Sequence, residues 1–134
     1  MGQESLVNEQ IDAGEDFARE FSDYVPVDVA FWINSPADSE GWFLYLASSG
    51  INDDNFDLAY GEVLRRVGNN RKQWLDAFQV KLLNGADPLA TEVIEIRNRY
   101  PLKIATQYNG SSIAGIAIDG AYIYPPITAP SSAT

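Results

Sequence analysis

The chain has 134 residues, nineteen of them Asp or Glu and nine Lys or Arg, for a formal charge of −10. Its length suits one domain on the usual range of roughly 100–200 residues, and 46% hydrophobic against 21% charged residues excludes whole-chain disorder. It has no cysteine and no histidine, which removes disulfides, thiolate metal sites, Cys nucleophiles, and the commonest general base and metal ligand.

The charge is unevenly spread. Residues 1–23 hold seven acids (Glu4, Glu9, Asp12, Glu15, Asp16, Glu20, Asp23) and one base, Arg19. The remainder is only mildly acidic. This sign disfavours nonspecific binding to nucleic acid and to anionic membranes. The start of the chain shows no basic stretch followed by an apolar run, as a targeting segment would. The longest apolar run, Ile113 to Ile118, is too short to span a bilayer. A cytoplasmic protein is the expectation.

Residues 6–25 predict an acidic amphipathic helix. Val7, Ile11, Ala18, Phe21 and Val25 recur at helical spacing with Phe17 and Tyr24 beside them, and Pro26 stops the helix. Gly14 weakens its middle. Alternation over Val27–Asn34 predicts a strand, Ser35–Gly41 a turn, and Trp42–Ala47 a return strand apolar on both faces. A helix is predicted over about 53–67, capped by Asn52 or Asp53. Its buried stripe is Phe56, Ala59, Tyr60, Val63, Leu64 and Val67, Gly68 closes it, and Arg65 and Arg66 serve its C-terminus.

A polar loop over Gly68–Gln73 and a strand near 77–83 follow. Asp87-Pro88 then opens a helix as N-cap and first residue, with the stripe Leu89, Val93, Ile96 and Tyr100, and Pro101 ends it. The rest reads as three strands, over Ile104–Tyr108, Ile113–Ile118 and Ala121–Tyr124. Turns at Asn109-Gly110 and Asp119-Gly120 separate them, and residues 126–134 form a flexible tail. The order α-β-β-α-β-α-β-β-β predicts an α+β fold. It would hold one mixed, mostly antiparallel sheet of five to six strands, two crossover helices and the N-terminal acidic helix. The expected divisions are a helical segment over 1–23, a single domain over 24–125 and the tail.

Candidate chemistry is sparse. Asn52-Asp-Asp-Asn-Phe-Asp57 fails as a calcium loop, because Asp57 and Val63 stand where glycine and glutamate are required, and it suits a helix N-terminus. Asp76-Ala-Phe-Gln79-Val-Lys81 places an acid upstream of a Gln-x-Lys pair that would share one strand face. In metal-dependent nucleases such a set holds the ion and positions the attacking water, with Asp28 as a further ligand. A full helix before this strand departs from that plan, and the plain reading is the polar face of a half-exposed strand. The basic string Arg65-Arg-Val-Gly-Asn-Asn-Arg-Lys72 is narrow for nucleic acid. The acidic first helix docking near it is a further possibility. Trp32 and Trp74 are candidate interface anchors, unless helices cover both sheet faces and bury them.

These observations point to a non-enzymatic interaction module, accessory, antitoxin-like or immunity-like. It would bind another macromolecule with a basic face, or a second copy of itself, through Glu9, Asp12, Asp16, Glu20, Trp32 and Trp74. The alternative is a metal-dependent phosphodiesterase using Asp28, Asp76, Gln79 and Lys81. No cofactor and no resident metal are expected.

Overall fold

The computed structural model describes residues 8–34, 42–70, 79–99, 106–108, 112–118 and 120–127. In chain order the elements are α1 (Asn8–Phe21), β1 (Val29–Asn34), β2 (Trp42–Ser48), α2 (Phe56–Asn70), β3 (Val80–Asn84), α3 (Pro88–Asn98), β4 (Thr106–Tyr108), β5 (Ser112–Ile113), β6 (Ile116–Ala117) and β7 (Gly120–Ile123). The fold is α+β. Five strands form one sheet in the order β3-β2-β1-β7-β4, and β5 and β6 form a separate hairpin. The pairs β1–β2, β1–β7 and β4–β7 are antiparallel, and β2–β3 is parallel. A parallel pair needs a crossover, and α2 supplies it.

Alternation along the strands divides the core into two layers. Ala30 and Trp32 of β1, Leu44 and Leu46 of β2, and Val80 and Leu82 of β3 pack with Ala13, Phe17, Ala18 and Phe21 of α1 and Ala59 and Val63 of α2. Val29, Phe31, Ile33, Ala47, Ala121 and Ile123 face the other way, onto Leu89, Ala90, Val93 and Ile96 of α3 and onto Ile113 and Ile118. Buried on both faces, β1 and β2 read as continuous apolar runs for that reason. The first helix packs on the same core as the rest of the chain, and Ile127 also packs there, two residues past the boundary expected at 125.

Several local expectations are corrected. The Ile113–Ile118 run is not one strand. It folds back on itself with Ile113 opposite Ile116, through Ala114 at φ 53° and Gly115 at φ 79°. Two positive φ values make the tight turn whose twist suits a hairpin. The α2 helix starts at Phe56, with the Ala59 N–H bonded to Asn55 O, so the N-cap is Asn55. Asn52 Oδ1 accepts from the N–H groups of Asp54 and Asn55 (2.9 and 3.1 Å), and Asn55 Oδ1 accepts from the Asn52 N–H (2.8 Å). Gly68 does not close α2, which continues to Asn70. The α3 start is as expected: Asp87 accepts from the Leu89 N–H at 2.9 Å, and Pro88 follows it. The segments Ser35–Gly41, Asn109-Gly110 and 128–134, with Val7, Phe78, Tyr100 and Ile104, lie outside the described residues.

Candidate functional site

The acidic face of α1 follows from its own periodicity. Ala13, Gly14, Phe17, Ala18 and Phe21 are buried. Glu9, Asp12, Asp16 and Glu20 recur at intervals of three and four residues, so they line another face of the helix. Glu9, Asp12 and Asp16 are exposed and Glu20 is half-buried. The helix's one base, Arg19, is paired to Glu15 at 2.8 Å.

Two connections hold α1 in place. Tyr124 Oη donates to Ile11 O at 2.6 Å and accepts from Trp32 Nε1–H at 2.8 Å. Burial pushes the Tyr124 phenol well above its usual range, against the Trp32 hydrogen bond, which lowers it. On the outer side, Arg66 Nη1 donates to Glu20 O at 2.9 Å and so ties α2 to α1.

Trp32 is therefore corrected as an interface anchor. It is fully buried, and its indole N–H is spent on Tyr124. Trp74 and Asp76 lie outside the described residues. The Arg65–Arg66 pair also serves a different end. Both guanidiniums bind the Glu62 carboxylate within α2, which holds its pKa below the usual carboxylate value, Arg65 contributing most. The acidic helix does dock near this pair, through Arg66. Arg71 and Lys72, which complete the basic string, lie outside the described residues.

The carboxylate and lysine of the hydrolytic alternative are not brought together. Asp28 Oδ2 accepts from the Ser49 N–H at 2.9 Å, and its backbone carbonyl accepts from Arg97 Nη1 at 3.2 Å. Asp28 lies one residue before the Val29–Ala47 pair, whereas Lys81 stands opposite Tyr45. Two strand spacings across and three residues along place their Cα atoms on the order of 14 Å apart. Gln79 lies just outside β3 and does not share its face with Lys81 as a strand residue. Its Nε2 donates to Trp42 O at 3.3 Å. Among the described residues, no group of three Asp or Glu converges on a metal position.

Lys81 has a different setting. Its ammonium lies 4.5 Å from the centre of the Phe43 ring and 5.9 Å from that of Tyr45. It borders a groove of about 300 Å³ lined by Tyr45, Phe56, Tyr60, Val80, Leu82 and Leu83. Phe56 and Leu64, expected in the buried stripe of α2, are instead 41% and 49% exposed. Phe56, Tyr60 and Leu64 follow at intervals of four, so they form one ridge beside the sheet's β3 end. Composition offered no signal for this groove, because its position depends on β3 ending the sheet.

No family model, no curated protein and no solved structure matches the chain. No helix among the described residues is long and apolar enough to cross a membrane.

Proposed function

We propose that this protein is a non-enzymatic interaction module of the cytoplasm, accessory, antitoxin-like or immunity-like in kind, that binds a protein partner with a basic face through Glu9, Asp12, Asp16 and Glu20. The observation that carries this reading is the docking of α1. Its apolar stripe is consumed by the protein's own core, and both the Tyr124 and Arg66 bonds reach its backbone. The acidic residues therefore sit on a rigid support, and a partner need not order the helix on binding.

Opposite charge acts mainly on the association rate, and salt screens it over about 8–10 Å. The test uses a lysine-rich peptide as probe and stopped-flow association at several salt concentrations. Replacing Glu9, Asp12, Asp16 and Glu20 by Gln or Asn should slow association roughly tenfold at low salt and flatten its salt dependence. A control variant neutralises four other exposed acids, Asp53, Asp54, Asp57 and Glu95. Equal slowing in both variants would mean that only net charge matters, and the acidic helix would then be a solubility device.

A further inference from the structure

We propose that the outward face of α2 joins this protein to a second copy of itself, as a two-fold dimer in which the two helices cross at Gly61 and Asp57 of each chain meets Arg65 of the other. This surface is separate from the acidic face of α1, and the proposal does not depend on the reading given to that face.

The helix has two unlike sides. Ala59 and Val63 enter the core. The positions turned away from it, Asp57, Leu58, Gly61, Leu64, Arg65 and Gly68, are all exposed. Leu58 is 70% and Leu64 49% exposed, on the side where a helix of a soluble domain ordinarily carries polar residues. A Cβ on Gly61 would meet nothing within 4 Å. Nothing inside the chain therefore calls for glycine at that position, although glycine weakens a helix interior relative to alanine. An uncovered glycine between two uncovered leucines suits the close approach of another helix.

The pattern about Gly61 selects a second copy as that helix. Leu58 and Leu64 lie three residues to either side of it, and Asp57 and Arg65 four residues to either side. A two-fold interface requires a patch complementary to itself, and this arrangement is one. Residues 57, 61 and 65 form an i±4 row. In the commonest packing of two helices such rows lie side by side, with the axes inclined by about 50°. When the two rows run in opposite directions and cross at Gly61, Asp57 falls beside Arg65 of the second copy, and the reciprocal pair forms across the axis. The row Leu58–Gly61–Leu64 then follows the two-fold axis, so each leucine faces its own counterpart. Among the described residues Asp57 makes no ion pair. Arg65 shares the Glu62 carboxylate with Arg66, and a guanidinium with five N–H donors has others to offer. The charge of −10 opposes association, but seven of the acids lie in residues 1–23, whereas this face carries one acid and one base. A single helix crossing covers a small area, so the dimer is weak and depends on concentration.

The test is sedimentation equilibrium of the full chain from about 10 µM to about 1 mM. The average mass should climb from 14.8 kDa toward twice that value. Asp57→Arg and Arg65→Asp each set like charges opposite one another, and each should weaken dimerisation about tenfold or more. An equal mixture of the two variants should associate again, because each chain brings the charges that the other lacks. The double variant Asp57→Arg/Arg65→Asp should recover the parent's association at unchanged net charge. Gly61→Gln should weaken the dimer without lowering the thermal unfolding temperature of the dilute protein, which shows that the fold is kept. Neutralising Glu9, Asp12, Asp16 and Glu20 should leave the dimer in place, so failure of the acidic-face reading and failure of this one show separately. A monomer at every concentration overturns the proposal and leaves the face to a different protein. So does parent-like association of the two single variants, or no recovery in the mixture and the double variant.

Discussion

Replacing Gly14 by Ala should destabilise this protein, although the same change in an exposed helix interior stabilises by about 1 kcal/mol. A Cβ at position 14 would lie 2.5 Å from Tyr124 Oη and 2.9 Å from Trp32 Nε1. Neither ring can move cheaply. The Tyr124 hydroxyl is held on one side by Ile11 O and on the other by the Trp32 indole, and both rings are fully buried. Overpacking a well-filled core costs about 1–3 kcal/mol. Displacing the hydroxyl would also strand the indole N–H, at a further ~1–3 kcal/mol. Set against the propensity gain, the expected net loss is about 1–5 kcal/mol, read as a lower urea midpoint at unchanged slope. In a Tyr124→Phe background the closest contact disappears, so Gly14→Ala should cost less there than in the parent. A Gly14→Ala variant as stable as the parent, or more so, would refute the packing argument, and an equal cost in both backgrounds would refute the role of the hydroxyl.

Tyr124→Phe alone should cost about 1–3 kcal/mol in urea unfolding, because it leaves the buried Trp32 N–H without an acceptor. The same phenol makes stability fall at alkaline pH: its folded pKa is raised above the ordinary 10.0, so the stability is whole below pH 10 and is lost as pH climbs beyond it. Tyr124→Phe should flatten that slope in a pH series, and an unchanged slope would assign it elsewhere. Ala114→Gly should stabilise by roughly 0.5–1 kcal/mol, because Ala114 sits at φ 53° where a Cβ is strained; thermal unfolding checks this. Asp87→Ala should cost about 0.5–2 kcal/mol through loss of the Leu89 cap, and Asp87→Ser should recover most of it.

What the sequence showed of the fold was whatever a single element could encode. The helix stripes, the Asp87-Pro88 start and the apolar β1–β2 pair depend on local periodicity and on caps, and they were legible. The β5–β6 reversal was not. Ala114-Gly115 lacks the Asn or Asp that usually marks such a turn, and the apolar run hid it. Phe56 and Leu64 were misassigned to the core because a helical wheel shows which residues share a side, not how much of that side a neighbour covers. Gly14 read as a weak point, although it is the close approach that admits Tyr124 and Trp32. Trp32 kept two readings open until the pairing of β1 between β2 and β7 placed it under α1. The groove beside β3 was invisible for a related reason. Strand order is a tertiary property, and Val80–Asn84 carries no mark of standing at the edge.

The same geometry narrows where recognition can occur. Both faces of the central strands are covered, which withdraws Trp32, Phe31 and Tyr124 from any interface. Among the described residues, two exposed surfaces differ in character. One is charged: the outer side of α1, where acids predominate and the backbone is pinned by Arg66 and Tyr124. The other is apolar: the ridge of Phe56, Tyr60 and Leu64, with Lys81 beside it across the groove. Charge on a rigid support raises encounter rates, whereas dissociation is governed by buried apolar contact. A partner that uses both surfaces would meet the acidic helix first and be retained at the apolar ridge. Substitutions on α1 would then move the association rate alone, and substitutions at Lys81 or Phe56 the dissociation rate alone.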